Sequence, residues 1–288
     1  MAASPSLRRR RLAAELRKLR DASGMSINDV AGKLGWQPSR ISRIETRQLG
    51  IGAPDLRRLL DLYEVDDSDF RARLADLARR AGEQGWWRSY GRHVIGPALS
   101  DLIAVEAEAA VIRTYQPEVI PGLLQTAAYA RAIIGGMAES GMTAAGIERR
   151  VQVRMERQQI LTRTEPPAPR YQAVLNEAVL RRRIGDPDVM REQIESLMID
   201  RDPANVTIQV LPFDAGVHRA MSGSFIMTSF LEPGDLGMVH VENATDSIVV
   251  ENPEEIREYE GIWDDIVSKA YSPDDTRAFL RTYTLRYR

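Results

Sequence analysis

The sequence predicts an α+β protein in two folded parts: an all-α bundle of five helices over residues 1–82 and, over residues 99–288, an α+β domain with a small, mainly antiparallel sheet. Three observations predict it. From Leu7 to Ala81 apolar residues recur at helical spacing, punctuated by single glycines and capping residues. From Val206 to Val250 short β-branched runs alternate with turn residues. Between the parts, residues 83–98 keep neither period, and the stretch GEQGWWRSYGRHVIG, beginning at Gly82, reads as an aromatic linker.

In the first helix, Leu7–Ala22, the residues Leu12, Leu16 and Leu19 share a face among arginines, and Gly24 stands where a left-handed cap closes a helix. Ser26 and Asp29 supply an N-cap and a partial capping box for a second helix, whose Ile27, Val30, Ala31 and Leu34 point inward. Gly35 closes that helix in a short turn. Pro38 then takes the first position of a third helix, where its missing N–H costs nothing. Ile41 and Ile44 point one way in this helix, and Gln37, Ser39, Arg40 and Arg43 point elsewhere. A fourth helix, Pro54–Tyr63, carries Leu56, Leu59, Leu60 and Leu62; a fifth, from about Asp67 to Ala81, carries Phe70, Leu74 and Leu77.

Composition bounds the function. The 288 residues suffice for about two domains, and a hydrophobic share of 43% lets each build a core. No run approaches the ~18–20 uncharged apolar residues that span a bilayer. The arginine-rich start lacks the apolar region of a secretory signal, so a cytoplasmic location is expected. With no cysteine, disulfides, thiolate metal sites, iron–sulfur clusters and cysteine nucleophiles are excluded. The net charge of −2 hides an asymmetry: residues 1–84 carry 17 Lys and Arg against 12 Asp and Glu, about +5, leaving about −7 for the rest. A basic module joined to an acidic one fits a polyanion binder with a separate sensing or partner domain.

Two short helices joined by a Gly-bearing turn within a bundle follow the helix-turn-helix plan. The run LRKLRDASGMSINDVAGKLGWQPSRISRIETRQLG resembles the Cro/lambda-repressor family, also called the xenobiotic-response-element family, and SRISRIE is its most distinctive piece. The resemblance implies that the third helix lies in the DNA major groove. Gln37, Ser39, Arg40 and Arg43 match the family's base-facing positions. Arg40 and Arg43 can each offer a planar fork to guanine, or hold a phosphate instead. Lys33, Arg47 and the cluster Arg8, Arg9, Arg10 and Arg11 are the phosphate candidates. Arg20 and Glu45 match a structural ion pair between the first and third helices. Two departures stand out: Ile27 replaces a common backbone-touching glutamine, and Pro38 removes one base-reading side chain.

Beyond the linker, helical patterns run over about Leu99–Ile112, Leu123–Gly135, Ala144–Thr162 and Asp188–Arg201. Strands are expected at Arg170–Asn176, Val206–Val210, Ser224–Phe230, Gly237–Val241 and Ile248–Val250. Ile256, Tyr259, Ile262, Trp263, Ile266 and Val267 stripe a long helix, and Ser272 caps a final short one. The strings IRTYQPEVIPGLLQTAAYARAI, NEAVLRRRIG, VTIQVLPFDAGVHRAMSGSF and VHVEN resemble an antitoxin-like C-terminal domain fused to such helix-turn-helices in actinomycete regulators, over about Asp101–Leu285. Genes of that family commonly sit beside one for a small partner protein.

Catalytic motifs are missing from the sequence. His93, His218 and His240 show no metal-binding spacing, and no nucleophile elbow, P-loop or dinucleotide fingerprint occurs. Gly223–Phe225 reads only as a strand start. Glu177, Arg181, Arg182 and Arg183 read as a solvated face rather than a grip on an acidic ligand. Leu123, Leu124, Ala127, Tyr129, Ala130 and Ile133, after Pro121 and Gly122, read first as core and second as a pocket or dimer face. Trp86, Trp87 and Tyr90 read as pinning the linker to the second domain, in preference to stacking on bases. No enzyme, metal or cofactor is expected. The expectation is a homodimeric transcription regulator on double-stranded DNA, controlled through its C-terminal domain by a small partner protein or a small-molecule effector, with no membrane partner. One alternative is an antitoxin-like protein that sequesters a small partner encoded nearby and autoregulates. Another is a one-component small-molecule sensor.

Overall fold

The computed structural model describes residues 7–81, 85–91, 93–138, 141–199, 205–231, 237–242 and 247–287. The chain divides into two compact units, Met1–Ser89 with Pro97–Val105, and Tyr90–Gly96 with Glu106–Arg288.

The first unit holds α1 (Leu7–Ala22), α2 (Ile27–Leu34), α3 (Pro38–Glu45), α4 (Ala53–Leu62), α5 (Ser68–Arg80) and, after the linker, α6 (Pro97–Glu106). Local chemistry sets the ends. Ser26 accepts from the Asp29 amide while the Asp29 carboxylate accepts from the Ser26 amide, a complete capping box. Gly35 closes α2 at φ 69°, which a side chain would resist. Asp67 caps α5 by accepting from the amides of Asp69 and Phe70, each at 2.9 Å. Leu12, Leu16, Val30, Ile41, Ile44, Leu56, Leu59, Leu60 and Leu74 form the buried core. Ile27, Leu62, Phe70 and Leu77 pack on it partly exposed.

The second unit contains β1 (Val111–Gln116), α7 (Ala127–Gly136), α8 (Ala144–Arg157), β2 (Arg170–Asn176), α9 (Ala178–Arg181), α10 (Pro187–Leu197), β3 (Val206–Leu211), β4 (Phe225–Ser229), β5 (Met238–Glu242), β6 (Ser247–Val250), α11 (Pro253–Lys269) and α12 (Pro273–Arg286). Its strands form one sheet in the order β3-β2-β1-β4-β5-β6. Pairs β1–β2 and β2–β3 are parallel and the other three antiparallel, so the sheet is mixed. Helices α7, α8 and α10 lie in the connections that return the chain to run parallel. Tyr115, Val174, Leu211, Phe225, Met227 and Val239 meet Ile256, Trp263 and Ile266 of α11 in one core.

The α+β class stands, with corrections to the elements. The expected helix Leu99–Ile112 stops at Glu106, and Val111 opens the central strand β1. Glu106 to Ala110 is a string of helix-forming residues with no glycine or proline, which hides that boundary. The expected helix starting at Leu123 opens instead at Ala127, where the Thr126 hydroxyl accepts from the Tyr129 amide. The expected helix Ala144–Thr162 ends at Arg157 and finishes in a 3-10 turn, Gln158–Leu161. Helix α10 ends at Leu197; Asp200 and Arg201, expected to end it, lie outside the described residues, as do Gly82, Glu83, Gln84 and Arg92 of the linker. The last helix, α12, has 14 residues and is not short.

Glu177 also departs from expectation, because it is not on a solvated face. It is 5% exposed, and its carboxylate accepts from the Phe213 amide at 2.8 Å, the Tyr283 hydroxyl at 2.8 Å and Arg181 Nε at 2.7 Å. These donors join the end of β2 to the loop after β3 and to α12. Burial pushes the carboxyl pKa up, but the bonds from Phe213, Arg181 and Tyr283 outweigh it and hold the value below the ordinary 4.5. Because the native value is depressed, the stabilisation is present above pH 4.5 and is lost as pH falls through the native value. Glu177→Gln is therefore expected to flatten the acid side of the stability–pH curve. Glu177→Ala, which strands buried donors, is expected to cost about 2–3 kcal/mol in denaturant titrations at neutral pH.

Candidate nucleic-acid interface

Helices α2 and α3 have eight residues each, and the turn between them is made by Gly35 and Trp36. The Trp36 amide donates to the Ala31 carbonyl at 2.8 Å, locking the turn onto the end of α2. Ile41 and Ile44 anchor α3 in the core at 2% and 3% exposure. Their burial turns Gln37, Ser39 and Arg43 out to solvent, and Lys33 is exposed in the last turn of α2. Gln37 is the N-cap of α3 but makes no side-chain capping bond, so its amide is available to a ligand. Arg43 forms no ion pair among the described residues.

Arg40 is placed differently. It is half-buried, its guanidinium carbon lies 4.1 Å from the centroid of the Trp36 ring, and Nη2 donates to Asp55 of α4. Arg58, one turn further along α4, donates to the Leu34 carbonyl at 2.7 Å and reaches the same ring at 5.6 Å. Trp36, Asp55 and Arg58 were not marked by sequence reasoning. The available signal was Asp55 and Arg58 spaced one turn apart on a helix that also carries Arg57 and Asp61.

Arg20 and Glu45 meet side by side. Arg20 Nε and Nη2 donate to the two carboxylate oxygens at 2.6 and 3.0 Å, and Nη1 donates to the Met25 carbonyl at 3.0 Å. The Glu45 bond raises the Arg20 pKa. Burial, helped by the negative charge of Glu45, pushes the neighbouring Tyr63 phenol up to about 12. Arg47 lies in the left-handed region at φ 70°, where helices usually place glycine. The bond from the Leu49 amide to the Arg43 carbonyl, 2.9 Å, closes the turn around it. Of the basic cluster at the start of α1, Arg8, Arg9, Arg10 and Arg11 are all half-buried, and Arg9 lies against Gly50, past the C-terminal end of α3.

The other marked residues take structural places. Leu123, Leu124, Tyr129 and Ala130 are buried core. Trp87 donates from Nε1 to Ser100 at 3.1 Å, and Tyr90 donates to Glu156 at 2.6 Å. His240 is buried on β5, paired across to Ile226 and Val249. His218 packs edge-on to Tyr115 at 5.8 Å. Arg182 pairs with Glu118. Among the described residues, no group of three or more potential ligands could hold a metal ion, and no helix is long and apolar enough to cross a membrane.

Residues 11–74 match the model of a helix-turn-helix domain, which marks the class as DNA-binding regulators of the helix-turn-helix type. Residues 99–282 match the model of a domain of unknown function, DUF5753, and the chain belongs to that family. No curated protein and no solved structure matches the chain.

The geometry separates two substitutions. Glu45→Ala removes both acceptors of a largely buried guanidinium and is expected to lower unfolding free energy by about 2–3 kcal/mol in urea titrations. Arg47→Gly relieves a left-handed arginine at the cost of a more flexible unfolded chain, and is expected to leave stability unchanged or raise it by up to about 1 kcal/mol.

Proposed function

We propose that the protein is a sequence-specific transcription regulator that binds double-stranded DNA as a homodimer and is controlled through its second unit. The observation that carries this reading is the exposed row Lys33, Gln37, Ser39 and Arg43 on a rigid α2–turn–α3 frame. In this reading α3 enters the major groove, where Gln37, Ser39, Arg40 and Arg43 face base edges. Lys33 and Arg47 hold phosphates beside it, and Arg8, Arg9, Arg10 and Arg11 hold phosphates further along the flank. The strained backbone of Arg47 supports a phosphate role, since a side chain kept where glycine fits better has a use for its charge. A two-fold dimer reads half-sites about one turn apart, ~34 Å.

The second unit receives the signal. Val217 and Met221, in the loop between β3 and β4, are 82% and 68% exposed, and Phe213 beside them is 50% exposed. Three apolar side chains exposed within nine residues of one loop support a protein partner for this unit. This supports a second, antitoxin-like reading, in which the unit sequesters a small partner encoded nearby and DNA binding serves autoregulation. Co-expression with the neighbouring gene product is expected to give a stable complex that Val217→Ser with Met221→Ser weakens. A sensor of small molecules would instead show a raised melting temperature with a metabolite bound.

Fluorescence anisotropy on duplex DNA tests the main reading. Affinity is expected to fall steeply with salt, with a log–log slope near −0.9 for each phosphate neutralised. Arg47→Gly is expected to weaken all sequences about equally and to reduce that slope by about one. Arg43→Ala is expected to lower specific binding by about tenfold or more while the fold is kept. An affinity flat from low to physiological salt would sink the proposal.

A further inference from the structure

We propose that Asp55 and Trp36, both outside the recognition helix, hold Arg40 as a preset base-reading fork and thereby help determine which DNA sequence is bound. The inference rests on the DNA-reading role proposed above. It concerns how one of the base-facing side chains is presented, and by what.

An arginine reads guanine when two coplanar N–H groups meet O6 and N7 together. A long side chain loses rotamer freedom when it is fixed in that pose, so an unsupported arginine reads poorly. Here the fixing is done in advance. The Trp36 ring lies 4.1 Å from the guanidinium carbon and sets the plane. Asp55 accepts from Nη2 and sets the rotation within that plane. No other partner of Arg40 exists among the described residues, so its remaining donors are uncommitted, and 37% of the side chain stays exposed.

The supports are themselves supported. Trp36 packs on the bundle core. Asp55 shares α4 with Arg58, which is anchored to the Leu34 carbonyl at 2.7 Å and reaches the other partner of the clamp, the Trp36 ring. Helix α4 therefore grips the end of α2 through Arg58 and the side chain of α3 through Asp55. The Asp55 carboxylate also offsets the positive charge of Arg40. That makes Arg40 a weaker phosphate ligand and leaves base contact as its better use.

Selection from a random double-stranded DNA pool with the full chain tests the proposal. Wild type is expected to enrich a motif. Arg40→Ala and Asp55→Ala are both expected to lose preference at the same one or two base positions, by about tenfold, equivalent to ~1.4 kcal/mol. The rest of the motif and the thermal midpoint are expected to persist. Asp55→Asn, which keeps an acceptor and the shape, is expected to show a partial loss at those positions, and it carries the test if the alanine variant does not fold. Three results would overturn the inference: a motif unchanged in the Asp55 variants, a motif unchanged in Arg40→Ala, or Asp55→Ala binding more tightly with its preference intact. The last would mean that Asp55 competes with DNA for Arg40. If wild type enriches nothing, the DNA-reading role itself fails and takes this inference with it.

Discussion

An eight-residue helix cannot sustain itself in water, since isolated helices shorter than about 12–15 residues are marginal even with favourable sequences. Helix α3 is that short, and the first unit is arranged to supply the order it lacks. From below, Ile41 and Ile44 bind it to the core. At its C-terminal end Glu45 is clamped by the paired nitrogens of Arg20 on α1. At its N-terminal end Trp36 and Asp55 hold Arg40, and Arg58 holds the helix before it. The contacts come from α1, the turn before α3 and α4, so the orientation of α3 depends on several elements of the bundle at once. Rigid elements position side chains more accurately than loops do, and a bundle that over-determines one short helix holds its exposed face in place.

The second unit solves a related problem with one buried charge. Strands β2 and β3 are parallel neighbours, and their ends open onto loops that no hairpin holds. Glu177 stands at that opening and gathers a backbone amide, a phenol and a guanidinium. A buried carboxylate so surrounded exchanges its water for fixed donors, and the donors outweigh the desolvation. The loop after β3 is pinned at its base and tied to α11 through Lys269 and Asp265, and it leaves Val217 and Met221 exposed.

What was legible in the sequence follows from where the information lies. The five helices of the bundle were readable because caps, single glycines and the 3.6-residue period are local signals: Ser26, Gly35, Pro38 and Asp67 each act within a few residues. Strand β1 was not readable as a strand. It is central in the sheet yet carries Arg113 and Gln116, and it follows a run of helix formers without a break. Arg113 survives there by donating to Gln172 on β2 and lying near the Trp263 ring, partners a linear reading cannot supply. The same holds at the candidate interface. The exposure of Gln37, Ser39 and Arg43 follows from periodicity alone, but the partner of Arg40 sits 15 residues away on another helix. The partners of Glu177 come from 36 and 106 residues away. Arg47 hid its backbone conformation because the usual marker, a glycine, is absent.

Net charge alone would make the first unit sticky toward polyanions without making it a reader. Some of its charges are paired away from α3: Arg17 lies near Asp21, Arg71 pairs with Asp61, and Arg79 pairs with Asp76. Such exposed pairs add little to stability. Lys33 and Arg43 escape this pairing and retain their charge beside Gln37 and Ser39. Arg40, with the same guanidinium, faces the Asp55 carboxylate and the Trp36 ring. Two arginines three residues apart on one helix thus have different surroundings: Arg43 is exposed and without an ion pair among the described residues, and Arg40 lies between Trp36 and Asp55. An exposed guanidinium can adapt its contacts, whereas one held by a ring and a carboxylate loses less rotamer freedom when it takes up a planar partner.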